Sequence, residues 1–453
     1  MSTPRTDRPN VIVFFTDQQR WDTTGVHGNP MRLTPNFDRL ALEGTHAFNA
    51  FTCQPVCLPA RACLQTGRYA TQVGCVDNTS PLPTDARTLA HHFSDAGYAT
   101  GYIGKWHLAG MSVAAVPPPE RGGYSEWLAS NVLEFTSDAY DCVMHDEAGR
   151  SVKLPGYRVD AQTDAAIRFV DRHQADPFFL FCSFLEPHFQ NSRDDYPAPT
   201  GYEDLYNDPW FPADLRALGG TSARHLPGYY GMVKRLDEAL GRVLDALKSL
   251  GLDRNTVVCF TTDHGCHFKT RNSEYKRSCH DASIRIPLAL TGPGFTSGGR
   301  LQEMVSLIDV PPTLLDACGL TVPSDMMGRS LLPLTRGQRE GWPEDVFVQI
   351  SEDGVGRAVR TRRWKYSIRA VPGAAHGNRD ADRYAEDCLY DLLADPHELN
   401  NIIGKDSHVE VASVMRERLL RHMRRAGETE PKIDLAPSKP AGQATLRPEE
   451  IQS

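Results

Sequence analysis

Three short apolar runs in this 453-residue chain end in polar residues of the kind that do chemistry, and that pattern restricts the fold more than any other feature. Asn10 to Phe15 closes on Thr16, Asp17 and Gln18; Phe178 to Leu185 closes on Glu186, Pro187 and His188; Thr256 to Phe260 closes on Thr262, Asp263 and His264. Continuous apolar runs rich in β-branched and aromatic side chains suit strands buried on both faces, as in a parallel sheet. Helical stretches such as Thr88 to Ala96 and Tyr229 to Leu250 lie between them, so strand and helix alternate. The expectation is an α/β fold with a large central, mostly parallel sheet flanked by helices. In such sheets ligands gather at the carboxyl ends of the strands, which is where Asp17, His188, Asp263 and His264 fall.

The sequence divides into a catalytic α/β unit over residues 1–340, a smaller C-terminal α+β unit over 341–430 and an extended tail over 431–453. Strands are expected at Val346 to Ile350 and Trp364 to Ile368, with a last helix at Val409 to Arg425. The tail is polar, contains several prolines and lacks periodicity, so it reads as an extended or weakly ordered arm.

Composition narrows the function by exclusion. With 49 Lys plus Arg against 57 Asp plus Glu, the formal charge is −8, and no basic stripe marks a helix, so nucleic acid is not an expected partner. Val11 to Phe15 is too short for a secretory h-region or a membrane span, so the expectation is a cytoplasmic protein that does not enter a membrane. Eleven cysteines without a secretory signal argue for free thiols. Cys53, Cys57, Cys63 and Cys75 lack the paired close spacing of a structural zinc site.

One of those cysteines stands apart. Cys57, Leu58, Pro59, Ala60 and Arg61, followed by Thr66 and Gly67, form a Cys-x-Pro-x-Arg run that reads as a nucleophile site, although a single Cys is more often a small buried hydrophobe. Asp17, Gln18, Asp263 and His264 offer mostly hard donors at two strand ends, a set that suits Ca²⁺, Mg²⁺ or Mn²⁺. Singly, each Asp could be a turn or capping residue. In the dense segment Gly97 to Leu108, Lys105 and His107 are two apart, which on an extended chain puts both on one face. An ammonium beside an imidazole can bind an oxyanion and move a proton, and His188 and Lys276 extend the same cationic theme.

These residues together resemble the formylglycine-dependent sulfatases of the alkaline phosphatase superfamily, over nearly the whole chain. The resemblance rests on the Cys57 to Arg61 run with Thr66 and Gly67, on Gly97 to Leu108, on Asp17, on Asp263, His264 and Gly265, and on Lys276 ahead of Ser283, Arg285 and Pro287. Weaker support comes from Ser306 to Asp316, Gly328 to Leu334 and Leu389 to Asn401. It implies an alkaline-phosphatase-like sheet and oxidation of Cys57 to formylglycine by a maturation enzyme. The hydrated aldehyde would then be the nucleophile toward a sulfate monoester, whether aryl, carbohydrate or small alkyl.

The resemblance also implies roles. Asp17, Gln18, Asp263, His264 and the Cys57-derived group would hold the divalent cation, Ca²⁺ foremost. Arg61 and Lys105 would steady the nucleophile, His107 would be the base, and His188 with Lys276 would bind sulfate and protonate the leaving oxygen. His280 is a neighbour.

Two positions depart from the family pattern. Gln18 stands where many sulfatases carry a second Asp, and Leu58 replaces the small or hydroxyl residue usual after the Cys. Gln18 is also found in enzymes resembling phosphonate monoester hydrolases. The alternatives are therefore a formylglycine-dependent phosphonate monoester or phosphodiester hydrolase, and a noncatalytic anion-binding protein with an unmodified Cys57.

Overall fold

The computed structural model describes residues 8–296, 299–442 and 445–453. Its main sheet has ten strands: β1 (Asn10–Thr16), β2 (Thr45–Phe51), β3 (Ala99–Lys105), β4 (Glu126–Ser130), β5 (Cys142–His145), β6 (Ser151–Leu154), β7 (Phe178–Ser183), β8 (Thr256–Thr262), β9 (Ala289–Thr291) and β10 (Gly299–Ser306). The spatial order is β10-β2-β9-β8-β1-β7-β3-β4-β5-β6. From β8 to β4 every pairing is parallel, and antiparallel pairings occur at β9 and beyond β4.

The apolar runs explain the layers. Along β1, Val11, Val13 and Phe15 enter one core while Ile12 and Phe14 enter another, because alternate side chains of a strand point to opposite faces. The first core takes the helices Cys57–Thr66, Leu89–Asp95 and Val310–Ala317; the second takes Pro35–Glu43, Arg158–Arg172 and Ser222–Ser249. β1 has later strands of the chain on both sides, β7 on one and β8 on the other, which makes its carboxyl end a topological switch point. Asp17 is the next residue.

A second sheet follows, with β11 (Val346–Ile350), β12 (Gly356–Arg360) and β13 (Trp364–Ala370), a two-residue ribbon β14 (Ala375–His376) and β15 (Asp380–Ala381), then β16 (Arg383–Asp391) and β17 (Lys432–Asp434). Its order is β11-β12-β13-β16-β17. The Val409–Arg425 helix covers one face through Val411, Met415 and Leu419. The other face meets Phe51, Ile284 and Met304 of the main unit through Val348, Ala358 and Tyr390.

The tail runs in extended segments that are pinned to the second sheet. Lys432–Asp434 pairs in parallel with Arg383–Ala385, Pro448–Ile451 forms a helical turn, and Trp364 Nε1 donates to the Glu450 carbonyl at 2.8 Å. An open strand edge offers unpaired backbone groups to any neighbouring segment, and Ile433, Leu446 and Ile451 add single apolar anchors that carry no periodic signal.

Candidate active site

Cys57 is the first residue of its helix, entered from extended Val56, so its side chain sits at the positive end of the helix dipole. Pro59, in the first turn, occupies a position whose N–H has no intrahelical acceptor. Arg61 lies one turn further on the same face. Gly67 ends the helix in the left-handed region, with φ +69°, where its N–H reaches the Cys63 carbonyl.

The Cys57 Sγ lies 2.8 Å from Lys276 Nζ, 3.3 Å from His264 Nε2 and 3.7 Å from Asp17 Oδ1. Burial, reinforced by the Asp17 carboxylate, pushes the thiol up to about 12 despite Lys276 and Lys105. As a sulfur nucleophile it would therefore be protonated and inert.

Around it stands a buried array of charge. Asp17 Oδ2 receives Arg61 at 2.8 Å and Lys105 Nζ at 2.9 Å. Burial alone would raise the Asp17 carboxyl, but the Lys105, Arg61 and Lys276 cations hold it well below the usual carboxylate range. Arg61 also donates to Ser183 Oγ at 2.8 Å and to the Lys105 carbonyl at 2.9 Å. Gly104, at φ +112°, permits this approach: a Cβ there would lie 1.9 Å from the Ser183 carbonyl oxygen. Lys105 Nζ completes its pairing with Glu134 Oε1 at 2.8 Å.

The four residues Asp17, Cys57, Asp263 and His264 are buried with their ligand atoms within 4.8 Å of one another. Asp263 Oδ1 accepts from the backbone N–H groups of Gln18 (3.0 Å) and His264 (2.9 Å). Burial and the adjacent Asp17 raise the Asp263 carboxyl to about 7. His264 Nδ1–H donates to the Gly265 carbonyl at 3.0 Å, which leaves the Nε2 lone pair facing the cluster. Among the described residues, neither Asp263 Oδ2 nor Gln18 Oε1 has a hydrogen-bond partner, although both are buried. Unsatisfied buried oxygens are costly, and the Asp263 carboxylate lies beside the His264 imidazole lone pair, while the Gln18 amide donates to Tyr196 OH at 3.1 Å. That donor set fits a hard divalent cation. Gln18 is held at φ +65°, an unusual conformation for a residue with a Cβ and one that collects at functional sites.

Lys276 Nζ also lies 3.3 Å from His188 Nε2, while His188 Nδ1 donates to the Phe189 carbonyl at 2.6 Å. Burial first, and then Lys276, keep His188 well below its ordinary value, so its imidazole is neutral. His107 is held neutral by burial and by Lys105, and neither of its ring nitrogens has a partner among the described residues. Cys57, His107, Glu134, His188 and Lys276 line one cavity of about 590 Å³.

Lys105 and His107 both reach the site, but not by strand alternation. The strand ends at Lys105, and His107 turns to φ +51° while its N–H is held by the Asn131 carbonyl. His280 faces Tyr390 OH at 3.2 Å and does not line the cavity. Sequence reasoning passed over Glu134, Ser183 and Asn78. Asn78 Oδ1 accepts from the Leu58 N–H at 3.2 Å. None of the three lies in a local motif; only strand β7, ending at Ser183, could have hinted at one of them.

The architecture is an alkaline-phosphatase-like fold, which a solved neighbour shares. The phosphonate monoester hydrolase of Agrobacterium radiobacter superposes with a TM-score of 0.72 at 24% identity, covering 92% of this chain and 96% of that one. The sulfatase family model matches residues 9–320, and the model for the C-terminal part of N-sulphoglucosamine sulphohydrolase matches 274–425. An ulvan-active sulfatase of Formosa agariphila is 30% identical over 439 residues, covering 93% of this chain and 82% of its own. An N-acetylglucosamine-6-O-sulfatase of Bacteroides thetaiotaomicron is 26% identical over 488 residues, covering 89% and 84%. The chain belongs to the sulfatase family.

Proposed function

We propose that the protein is a sulfuric ester hydrolase that releases inorganic sulfate from a sulfated carbohydrate. The observation that carries this reading is the position of Cys57 at a helix start, in contact with Lys276 on one side and with the Asp17, Asp263 and His264 cluster on the other. Family membership and two relatives named for sulfated sugars support it.

Asp17, Gln18, Asp263 and His264 would hold a divalent cation, Ca²⁺ before Mn²⁺ or Mg²⁺ because the donors are mostly oxygen. Bound there, such an ion supplies Lewis-acid charge next to residue 57. Cys57, converted to formylglycine by a maturation enzyme, supplies an oxygen nucleophile in place of an inert thiol.

The other side chains perform separable tasks. Arg61 and Lys105 keep Asp17 ionised and oriented. Lys276, raised above its ordinary value against its burial with the Asp17 carboxylate among the causes, has its Nζ placed to hold nonbridging sulfate oxygens. It also donates toward His188 Nε2, giving the leaving oxygen a route to a proton. His107, neutral and with free ring nitrogens, is the base for a hydroxyl at residue 57.

The test is sulfate release by matured, metal-loaded protein from sulfated sugars and 4-nitrophenyl sulfate, beside phosphonate monoesters and phosphodiesters. Preference for the phosphorus substrates would overturn the sulfatase reading. An unmodified Cys57, after expression beside a competent maturation enzyme, would favour the noncatalytic alternative.

A further inference from the structure

The cavity over Cys57 is lined partly by groups that sulfate chemistry does not use, and several come from the second sheet. Glu352 and Asn378 project from its connections and meet Asn78, Thr79, Ser273 and Arg277 of the main unit. Glu352 follows β11 and holds φ +68°, an unfavourable conformation for a residue with a Cβ. Arg277, its partner, holds φ +71°.

The contacts show what that geometry serves. Glu352 Oε1 accepts from the Asn78 N–H at 2.6 Å, and Oε2 accepts from Asn78 Nδ2 at 3.1 Å and Arg277 at 2.7 Å. A carboxylate has about four acceptor positions, so one stays available to a ligand. Because Asn78 also receives the Leu58 N–H, this carboxylate is two hydrogen bonds from the residue after Cys57.

The charge balance of this wall points the same way. Asp194 is paired with Lys269 at 2.8 Å, and Arg277 is shared between Glu352 at 2.7 Å and Glu274 at 3.6 Å. Beyond the sulfate seat, three carboxylates thus face two cations, both committed. A second anion entering here meets net negative charge, whereas a hydroxyl meets acceptors. Met111 and Phe135, 43% and 52% exposed on the same cavity, offer apolar contact to the C–H face of a ring.

We propose that Glu352 is a specificity-determining residue that selects an uncharged, hydroxyl-rich leaving group: a neutral sugar carrying one sulfate, in preference to a uronic acid or a multiply sulfated sugar. This rests on the sulfatase reading above.

The test compares kcat/KM of the matured holoenzyme on a singly sulfated neutral hexose, its disulfated analogue, a sulfated uronic acid and 4-nitrophenyl sulfate. Wild type is expected to favour the neutral hexose over either anionic sugar by at least tenfold. E352Q, which keeps the shape and removes the charge, is expected to narrow that margin at least fivefold and to raise KM for the hexose more than it lowers kcat. Equal turnover of neutral and anionic sugars by wild type, or an E352Q loss uniform across all four esters, overturns the proposal. Absence of sulfate release from every ester would instead remove the sulfatase reading and this inference with it. The wild-type comparison decides the matter even where E352Q does not fold.

Discussion

Two of the buried charge clusters in this molecule differ in how fully their carboxylates are paired. The first gathers Asp17, Asp263 and Glu134 with Arg61, Lys105 and Lys276 at the carboxyl ends of the central strands. The second gathers Asp281 and Glu398 with Arg360 and Lys365, where the main unit meets the second sheet. In the second, every carboxylate oxygen has a donor: Asp281 Oδ1 from Lys365 at 2.5 Å, Asp281 Oδ2 from Arg360 at 3.0 Å, Glu398 Oε1 from Lys365, and Glu398 Oε2 from the Asp281 N–H at 2.7 Å. In the first, Asp263 Oδ2, Glu134 Oε2, Gln18 Oε1 and both His107 nitrogens lack hydrogen-bond partners among the described residues. Burial and charge are equal in kind; carboxylate oxygens left without donors, beside an imidazole and a cysteine, mark the first cluster.

The sharpest way to break the contrast is C57A. It should abolish turnover, on the order of 10⁴-fold or more as for other catalytic nucleophiles, while the melting temperature stays near wild type. Full activity by sulfate-release assay would refute the site.

D281N should do the opposite. It leaves Lys365 and Arg360 short of a buried counter-charge and should cost about 3–5 kcal/mol in denaturant unfolding, with cation affinity unchanged in the folded protein. A variant as stable as wild type would show that the brace carries little.

D263N should weaken Ca²⁺ or Mn²⁺ binding in calorimetric titration and lower kcat together, about 10–100-fold, and a chelator should reproduce the activity loss in wild type until metal is restored. E134Q, which removes one charge from Lys105 without touching a ligand atom, should lower kcat by roughly tenfold with metal affinity retained.

The smallest effect concerns acid. Burial opposes ionisation of Asp281, but Arg360 and Lys365 overcome it and hold its carboxyl well below the usual range. A depressed carboxyl stabilises the fold fully above its unfolded value, about 3.9, and loses that contribution only as pH falls through the folded value. Asp281 should therefore add no slope to stability between neutrality and about pH 4. A decline in that window that vanishes in D281N would contradict the assignment.

The parts of the fold visible in sequence were those governed by one segment at a time. The runs at Asn10, Phe178 and Thr256 are apolar at nearly every residue because both faces of the parallel sheet are covered, and their terminal polar residues could be read as strand ends without knowing the pairing. Asp17, His188, Asp263 and His264 followed from that logic and Cys57 from its own local motif, and Lys105, His107 and Lys276 converge with them. Glu134 did not show itself, because it acts through Lys105, which belongs to a different segment of the chain. The strand Arg383–Asp391 was hidden by its charged, alternating surface, and β17 exists because that strand leaves an edge to be filled.

The register of β1 carries one more consequence. Thr16 pairs with Thr262 and Phe15 with Ser183, so the residues that follow arrive level with one another at the rim of the sheet. A slip by a single residue would turn every side chain of that strand to the opposite layer and carry Asp17 away from Arg61 and Asp263. Assembly of the Asp17, Asp263 and His264 cluster thus depends on the register of the chain's first strand, so binding of the proposed ion would report that the centre of the sheet was laid down correctly.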